Sequence, residues 1–142
     1  MHRSHRSERR NGSVVVEFAI IVSLVLAPFT IGLIEMGRGM TVKQVLSDAA
    51  RKGCRTGVLP TGNTSDITSD INQVLTDNNI QTTWVTILIT VNGVQADPST
   101  AKQGDQIAVK ISIPVSKIAL ITPVFLPGTA IESDTLVMMR QQ

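Results

Sequence analysis

Three patterns of apolar and polar positions follow one another along the chain. From Phe18 to Ile34 there is no charged side chain, and the apolar run reaches back to Ser13 with Glu17 its one interruption. As a helix, Ser13 to Ile34 would span roughly 33 Å, about one bilayer core. Glu35 and Arg38 close this run. From Met40 to Arg55 the pattern becomes amphipathic: Val42, Val45, Leu46, Ala49, Ala50 and Gly53 recur at three- and four-residue spacing, with Lys43, Gln44, Ser47, Asp48, Arg51 and Lys52 between them. One long helix from Ser13 to about Arg55 is expected, open to a bend at Gly37-Arg38-Gly39 and stopped by Gly57 and Pro60. A second helix is expected from about Ser65 to Asn78, with Ile67, Ile71, Val74 and Leu75 on one face and Asp66 near its N-terminal dipole end.

The period then changes to two. Trp84 to Val91 alternates Val85, Ile87, Ile89 and Val91 against Thr86, Leu88 and Thr90, and Asn92-Gly93 is a turn signal. Val94 to Gly104 reads as a loop. Gln106 to Ile113 reads as a strand with Ile107, Val109, Ile111 and Ile113 inward, ended or edged by Pro114. Ile131 to Met139 reads as a third strand of weaker alternation. The expected fold is α+β: a long N-terminal transmembrane and amphipathic helix, a second helix, and a small antiparallel sheet of about three strands. The stretch Val115 to Leu126 is strongly apolar for a connection, and tucking under the sheet is favoured over an exposed docking surface.

Charge divides the chain further. Arg3, Arg6, Arg9 and Arg10 precede Gly12, with Glu8 the one acid among them. Without Met1 to Gly12 the 13 Lys and Arg fall to 9 and the 11 Asp and Glu to 10. The basic balance thus belongs to the leader, and nucleic-acid binding is not read from it. Four arginines before the first apolar run favour a cytoplasmic N-terminus and an exported C-terminal part. No A-x-A-like site follows the run, so a conventional secretory signal does not fit. The choices are an uncleaved anchor or a cut before the run. The expected division is 1–12 leader, 13–38 transmembrane helix, 39–60 amphipathic continuation and 61–142 a small α+β extracytoplasmic domain.

Candidate chemistry is sparse. Both histidines, His2 and His5, lie in the leader, and Cys54 is the single cysteine. No G-x-S-x-G, H-E-x-x-H, P-loop or metal-spaced cluster is present, so neither catalysis, metal nor cofactor is expected. Glu17 is the informative residue, because a carboxylate in lipid is costly and marks function by default. The plain alternative is snorkelling to the headgroups. Glu35 and Arg38, three apart, can form a helix-surface ion pair, mark the outer membrane interface or contact an assembly partner. Pro28 should kink or loosen the helix, while Gly32, Gly37 and Gly39 permit close helix approach. The basic set Arg38, Lys43, Arg51, Lys52 and Arg55 opposes the leader under the positive-inside rule and suits anionic headgroups or acidic partners.

Three stretches resemble the TadE-like family, pseudopilins (minor pilins) of the Tad (Flp) pilus machinery. Gly12, four residues, then Glu17-Phe18 resembles a prepilin peptidase site. The apolar run with its proline, followed by Gly32-Leu33-Ile34-Glu35-Met36-Gly37-Arg38, resembles the family's anchor. Gln44 to Gly53 resembles its alanine-rich continuation. Pro28 lies deeper than is usual in the family, and Cys54 stands where alanine is more common. The resemblance implies cleavage between Gly12 and Ser13, leaving Glu17 and Phe18 as the subunit-pairing positions, with Glu17 facing a neighbour's new amino terminus. It implies as partners a prepilin peptidase, other pilins or pseudopilins, an inner-membrane assembly platform and membrane lipid. The implied location is the bacterial inner membrane, in a single pass. The competing expectation is an uncleaved, membrane-tethered scaffold or binding protein.

Overall fold

Helix α1 runs unbroken from Arg6 to Gly57 in the computed structural model of the chain, which describes residues 6–118 and 130–140. It begins before Ser13 and continues through Gly37-Arg38-Gly39 without interruption. Pro28 sits inside it. Nearby hydroxyls bond back along the helix: Thr30 donates to the Leu26 carbonyl at 2.8 Å, and Thr41 to that of Gly37 at 3.0 Å. Polar hydrogens are thereby satisfied where no water is expected.

α1 lives in two environments. The large apolar side chains from Val14 to Ile34 are exposed, Leu24 by 75%. Nothing among the described residues covers them, and the helix from Gly12 is long and apolar enough to cross a membrane. Further on, Leu46, Ala49, Ala50 and Cys54 are fully buried. They pack on helix α2, Thr64–Asp77, whose Ile67, Ile71 and Leu75 are also fully buried. Each such aliphatic side chain contributes roughly 1.5–3 kcal/mol. Two glycines one turn apart let the helices approach. A Cβ on Gly53 would lie 2.8 Å from Ile71 Cδ1, and one on Gly57 2.8 Å from Ile67 Cδ1. Asn63 caps α2 by accepting from the Asp66 N–H at 2.8 Å, while its amide donates to the Asp66 carboxylate at 2.9 Å.

The sheet has five strands rather than three: β1 Thr86–Val91, β2 Val94–Gln95, β3 Gln106–Pro114, β4 Ala130–Glu132 and β5 Leu136–Met139. All pairings are antiparallel, in the order β2-β1-β3-β4, with β5 also on β3. β1 starts later than the alternation suggested because Thr82–Trp84 forms a short 3-10 turn. The extra β2 comes from the Asn92-Gly93 turn, whose φ angles of 50° and 82° fold the chain back as a tight hairpin. The expected third strand divides in two. Ser133 fills the gap: its N–H donates to the Ile111 carbonyl at 2.7 Å, and its hydroxyl accepts from the Ile111 N–H at 2.9 Å. The ladder is continued by a side chain, which hides the break from any count of alternation.

Ile107, Val109, Ile111 and Ile113 all face inward as expected. Val109, Ile111 and Ile113 join the buried faces of α1 and α2 in the main core, while Ile107 packs with Val58 and Val91 in a smaller cluster. Val115 is buried and Ile118 joins the main core, while residues 119–126 of the apolar connection lie outside the described residues. Arg140, 9% exposed, fastens the domain's far end by donating to the carbonyls of Pro98 and Pro60.

The tight α1–α2 crossing gives a test. Gly53→Leu forces atoms into Ile67 and Ile71 and should destabilise the outer domain by about 1–3 kcal/mol. Chemical denaturation of the detergent-solubilised chain, followed by Trp84 fluorescence, reads the shift. An unchanged midpoint would contradict this packing.

Candidate functional site

Gly12 and Ser13 lie within α1, both exposed, and nothing stands within 4 Å of a Cβ built on Gly12. The bond between them is helical, so a peptidase that binds extended chain must first unwind the helix start. Glycine lowers that cost by about 1 kcal/mol relative to alanine. One turn later, Glu17 is exposed and accepts a 3.4 Å contact from the Ser13 hydroxyl. Phe18 beside it is 68% exposed. The carboxylate therefore stands on a surface of Val14, Val15, Val16 and Ile20, with one weak neutral donor from its own chain.

Glu35 behaves differently. It is only 2% exposed, and neither carboxylate oxygen has a hydrogen-bond partner among the described residues. The helix-surface pair that the spacing allows with Arg38 is not made among the described residues, where Arg38 is exposed and in no ion pair. Glu35 stands at the foot of the covered helix face, below buried Gly39 and Leu46. Sequence spacing placed it at an interface but gave no sign of this burial.

Glu17 and Glu35 are eighteen positions apart, five turns of α-helix, so they share one stripe with roughly 27 Å between them. Of the basic set, Lys43 pairs with Asp134 at 3.5 Å, and Lys52 with Asp70 at 3.6 Å while donating to Gln73 at 2.9 Å. Those cations stabilise the domain from its surface, each pair worth well under 1 kcal/mol.

Cys54 is fully buried, and its thiol donates to the Leu136 carbonyl at 3.1 Å. Burial pushes its pKa up, opposed by the Val109 backbone. It is a core residue joining α1 to the sheet. A groove of about 670 Å³ opens between α2 and β1, lined by Thr64, Thr68, Asn72, Ile87 and Asp97 among others. Its one carboxylate, Asp97, is already occupied. Hydrogen bonds from Ser99, then from the Thr64 hydroxyl, hold its pKa at about 2. Among the described residues, no group of three or more His, Cys, Asp or Glu is placed to hold a metal ion.

The functional positions thus gather on α1, and the family comparison falls on the same segment. The model of the TadE-like protein family matches residues 12–55. Over that stretch the chain is similar to TadE-like proteins. The match begins at Gly12, takes in Glu17, Glu35 and Arg38, and ends one residue past Cys54. It covers about a third of the chain. No curated protein and no solved structure matches. The matched segment is a membrane-length helix continued by the face that carries the domain.

Acid sensitivity tests the loop packing beside this segment. Asp97 and Asp105 both have lowered pKa values, Asp105 through hydrogen bonds from Asn92 and the Lys102 N–H. Depressed carboxylates stabilise the fold above their unfolded values, and that contribution is lost as pH falls through the folded ones. The melting temperature should therefore fall between about pH 4 and pH 2. Asp97→Asn should show a lower melting temperature at pH 7 and a shallower fall. Identical profiles for the two chains would contradict the assignment.

Proposed function

We propose that the chain is a minor pilin or pseudopilin supporting assembly of an adhesive Tad pilus. A prepilin peptidase cuts between Gly12 and Ser13, and the mature protein packs through the membrane half of α1. One observation carries this reading: the segment that matches the TadE-like model is also the segment whose apolar side chains the chain leaves uncovered, with Glu17 among them. An ion on such a surface needs an opposite charge within reach. The amino terminus created on Ser13 of a neighbouring subunit provides one. The leader's arginines hold the N-terminus in the cytoplasm until the cut, and the α+β domain stands outside the inner membrane. The assembly platform and sister pilins are then the partners of the exposed helix, with lipid covering it beforehand.

A second reading keeps the chain uncleaved as a membrane-tethered scaffold of the same apparatus. The unbroken helix across Gly12 favours it, since the scissile bond is not presented in extended form.

Two variants separate the readings. Gly12→Leu should block maturation and leave a chain of higher apparent mass than wild type on a gel. Equal mobility would count against the cut site. Glu17→Ala should insert normally but lose most of its recovery with sister pilins. Unimpaired co-purification together with normal piliation would remove the pairing role.

A further inference from the structure

Strand β3 runs back along α1 toward the membrane half of the helix. A Cβ on Gly57 would lie 3.3 Å from Ile107 Cγ2. The Cys54 thiol bonds to Leu136, which pairs with Val109. Lys43 pairs with Asp134, the residue after the Ser133 that bonds Ile111. Passing down α1 from Gly57 to Lys43 therefore follows β3 from Ile107 to Ile111. The end of β3, and the 3-10 turn Val115–Lys117 after it, stand at the end of the outer domain nearest the apolar run. Pro114 is three residues past Ile111, about 10 Å along a strand. Arg38 is five positions below Lys43, about 7.5 Å along a helix. Pro114 and Arg38 are thus nearly level.

Burial along α1 agrees with this placement. Glu35 and Gly39 are buried, whereas Leu33 and Ile34, 57% and 55% exposed, belong to the uncovered run. The domain reaches down to where the membrane-length run ends, with no bare length of helix between them. Two cations stand at this level. Arg38 and Lys117 are exposed and in no ion pair among the described residues. The exposed acids of the β4–β5 side are already taken, Asp134 by Lys43 and Glu132 by Lys110 at 2.6 Å. The other exposed arginines of α1 stand too far up. Arg51 and Arg55 are thirteen and seventeen positions past Arg38, roughly 20 and 26 Å along the axis.

We propose that the end of the outer domain carrying Lys117, together with Arg38, rests on anionic headgroups of the bilayer that α1 enters. The inference goes beyond the pilus reading and does not depend on a cut at Gly12; it requires only that the apolar half of α1 lies in lipid. Long cationic side chains beside a membrane helix lay their stems on apolar surface and their charges among the phosphates. Each such cation gives roughly a fivefold preference for an anionic surface. One cation on the helix would set only the height of the domain. A second on a separate element, the turn after β3, also sets its tilt. An acidic protein surface offers similar charge, but lipid is the surface already present at this level wherever the anchor inserts.

The test uses the full-length chain on a Cys54→Ala background, reconstituted into vesicles of phosphatidylcholine with or without phosphatidylglycerol. An environment-sensitive fluorophore is attached at Ser116→Cys, beside Lys117, or at Val94→Cys, which is 69% exposed on the hairpin at the opposite end of the sheet. A quencher carried on lipid headgroups reads the proximity of each to the bilayer. Quenching at position 116 should exceed that at position 94 severalfold in anionic vesicles, and should weaken in neutral ones. Raised salt should weaken it too, because exposed charges are screened. Lys117→Glu with Arg38→Glu should bring it down to the neutral-vesicle level, and Lys117→Gln should give an intermediate value. Equal quenching at the two positions overturns the proposal. Quenching at position 116 that ignores lipid charge, salt and both sets of substitutions overturns it as well. So does quenching that appears only when another protein is added, the result expected of an acidic protein partner. The salt and lipid arms use the unsubstituted cations, so the proposal stands or falls even where a charge-reversed chain fails to fold.

Discussion

A carboxylate on the apolar surface of a membrane-length helix constrains everything else in this chain. Glu17 stands among exposed valines and isoleucines, with the Ser13 hydroxyl at 3.4 Å its one contact from the chain. An ion in such surroundings costs a few kcal/mol on insertion scales, comparable with the burial of one or two large aliphatic side chains. Neither lipid tails nor the outer domain offers a cation there. The charge is either tolerated at the headgroups or answered by another molecule, and an answering partner fixes the register of helix packing.

α1 carries this requirement into the outer domain without a break. Its first half is apolar all round and uncovered, while its second half buries Leu46, Ala49, Ala50 and Cys54. No linker separates the halves, so movement of the membrane segment is transmitted to the sheet. The small residues make that rigidity attainable. Gly53 and Gly57 admit Ile71 and Ile67, and Cys54 joins the helix to β5 through Leu136. Glu35 stands where the two halves meet, enclosed and without a donor among the described residues.

Much of this was legible in the sequence where one physical signal dominated. The charge-free run from Phe18 to Ile34 gave the membrane helix, the three-and-four spacing gave its continuation and α2, and the twofold period of Ile107 to Ile113 gave β3. Reading failed where a structure depends on distant contacts. Ser133 replaces a backbone bond in the ladder, so the split between β4 and β5 leaves no mark on the alternation. Asn92-Gly93 gave the turn, but the two-residue strand after it was too short to register. The burial of Glu35 and the grip of Arg140 on Pro98 and Pro60 leave no mark on local spacing. At the site level, the positions on α1 came from local spacing, whereas the shared stripe of Glu17 and Glu35 follows once the helix is known to be continuous between them.

The central claim is that Glu17 belongs to a processed helix whose new amino terminus serves a neighbour. Its most direct test is the intact mass of wild-type protein extracted from membranes that also contain the prepilin peptidase. A mass lacking residues 1–12, with Ser13 as a free amino terminus, is expected. A chain that retains Met1 to Gly12 in fully assembled material would contradict the claim, because no amine would then stand near Glu17.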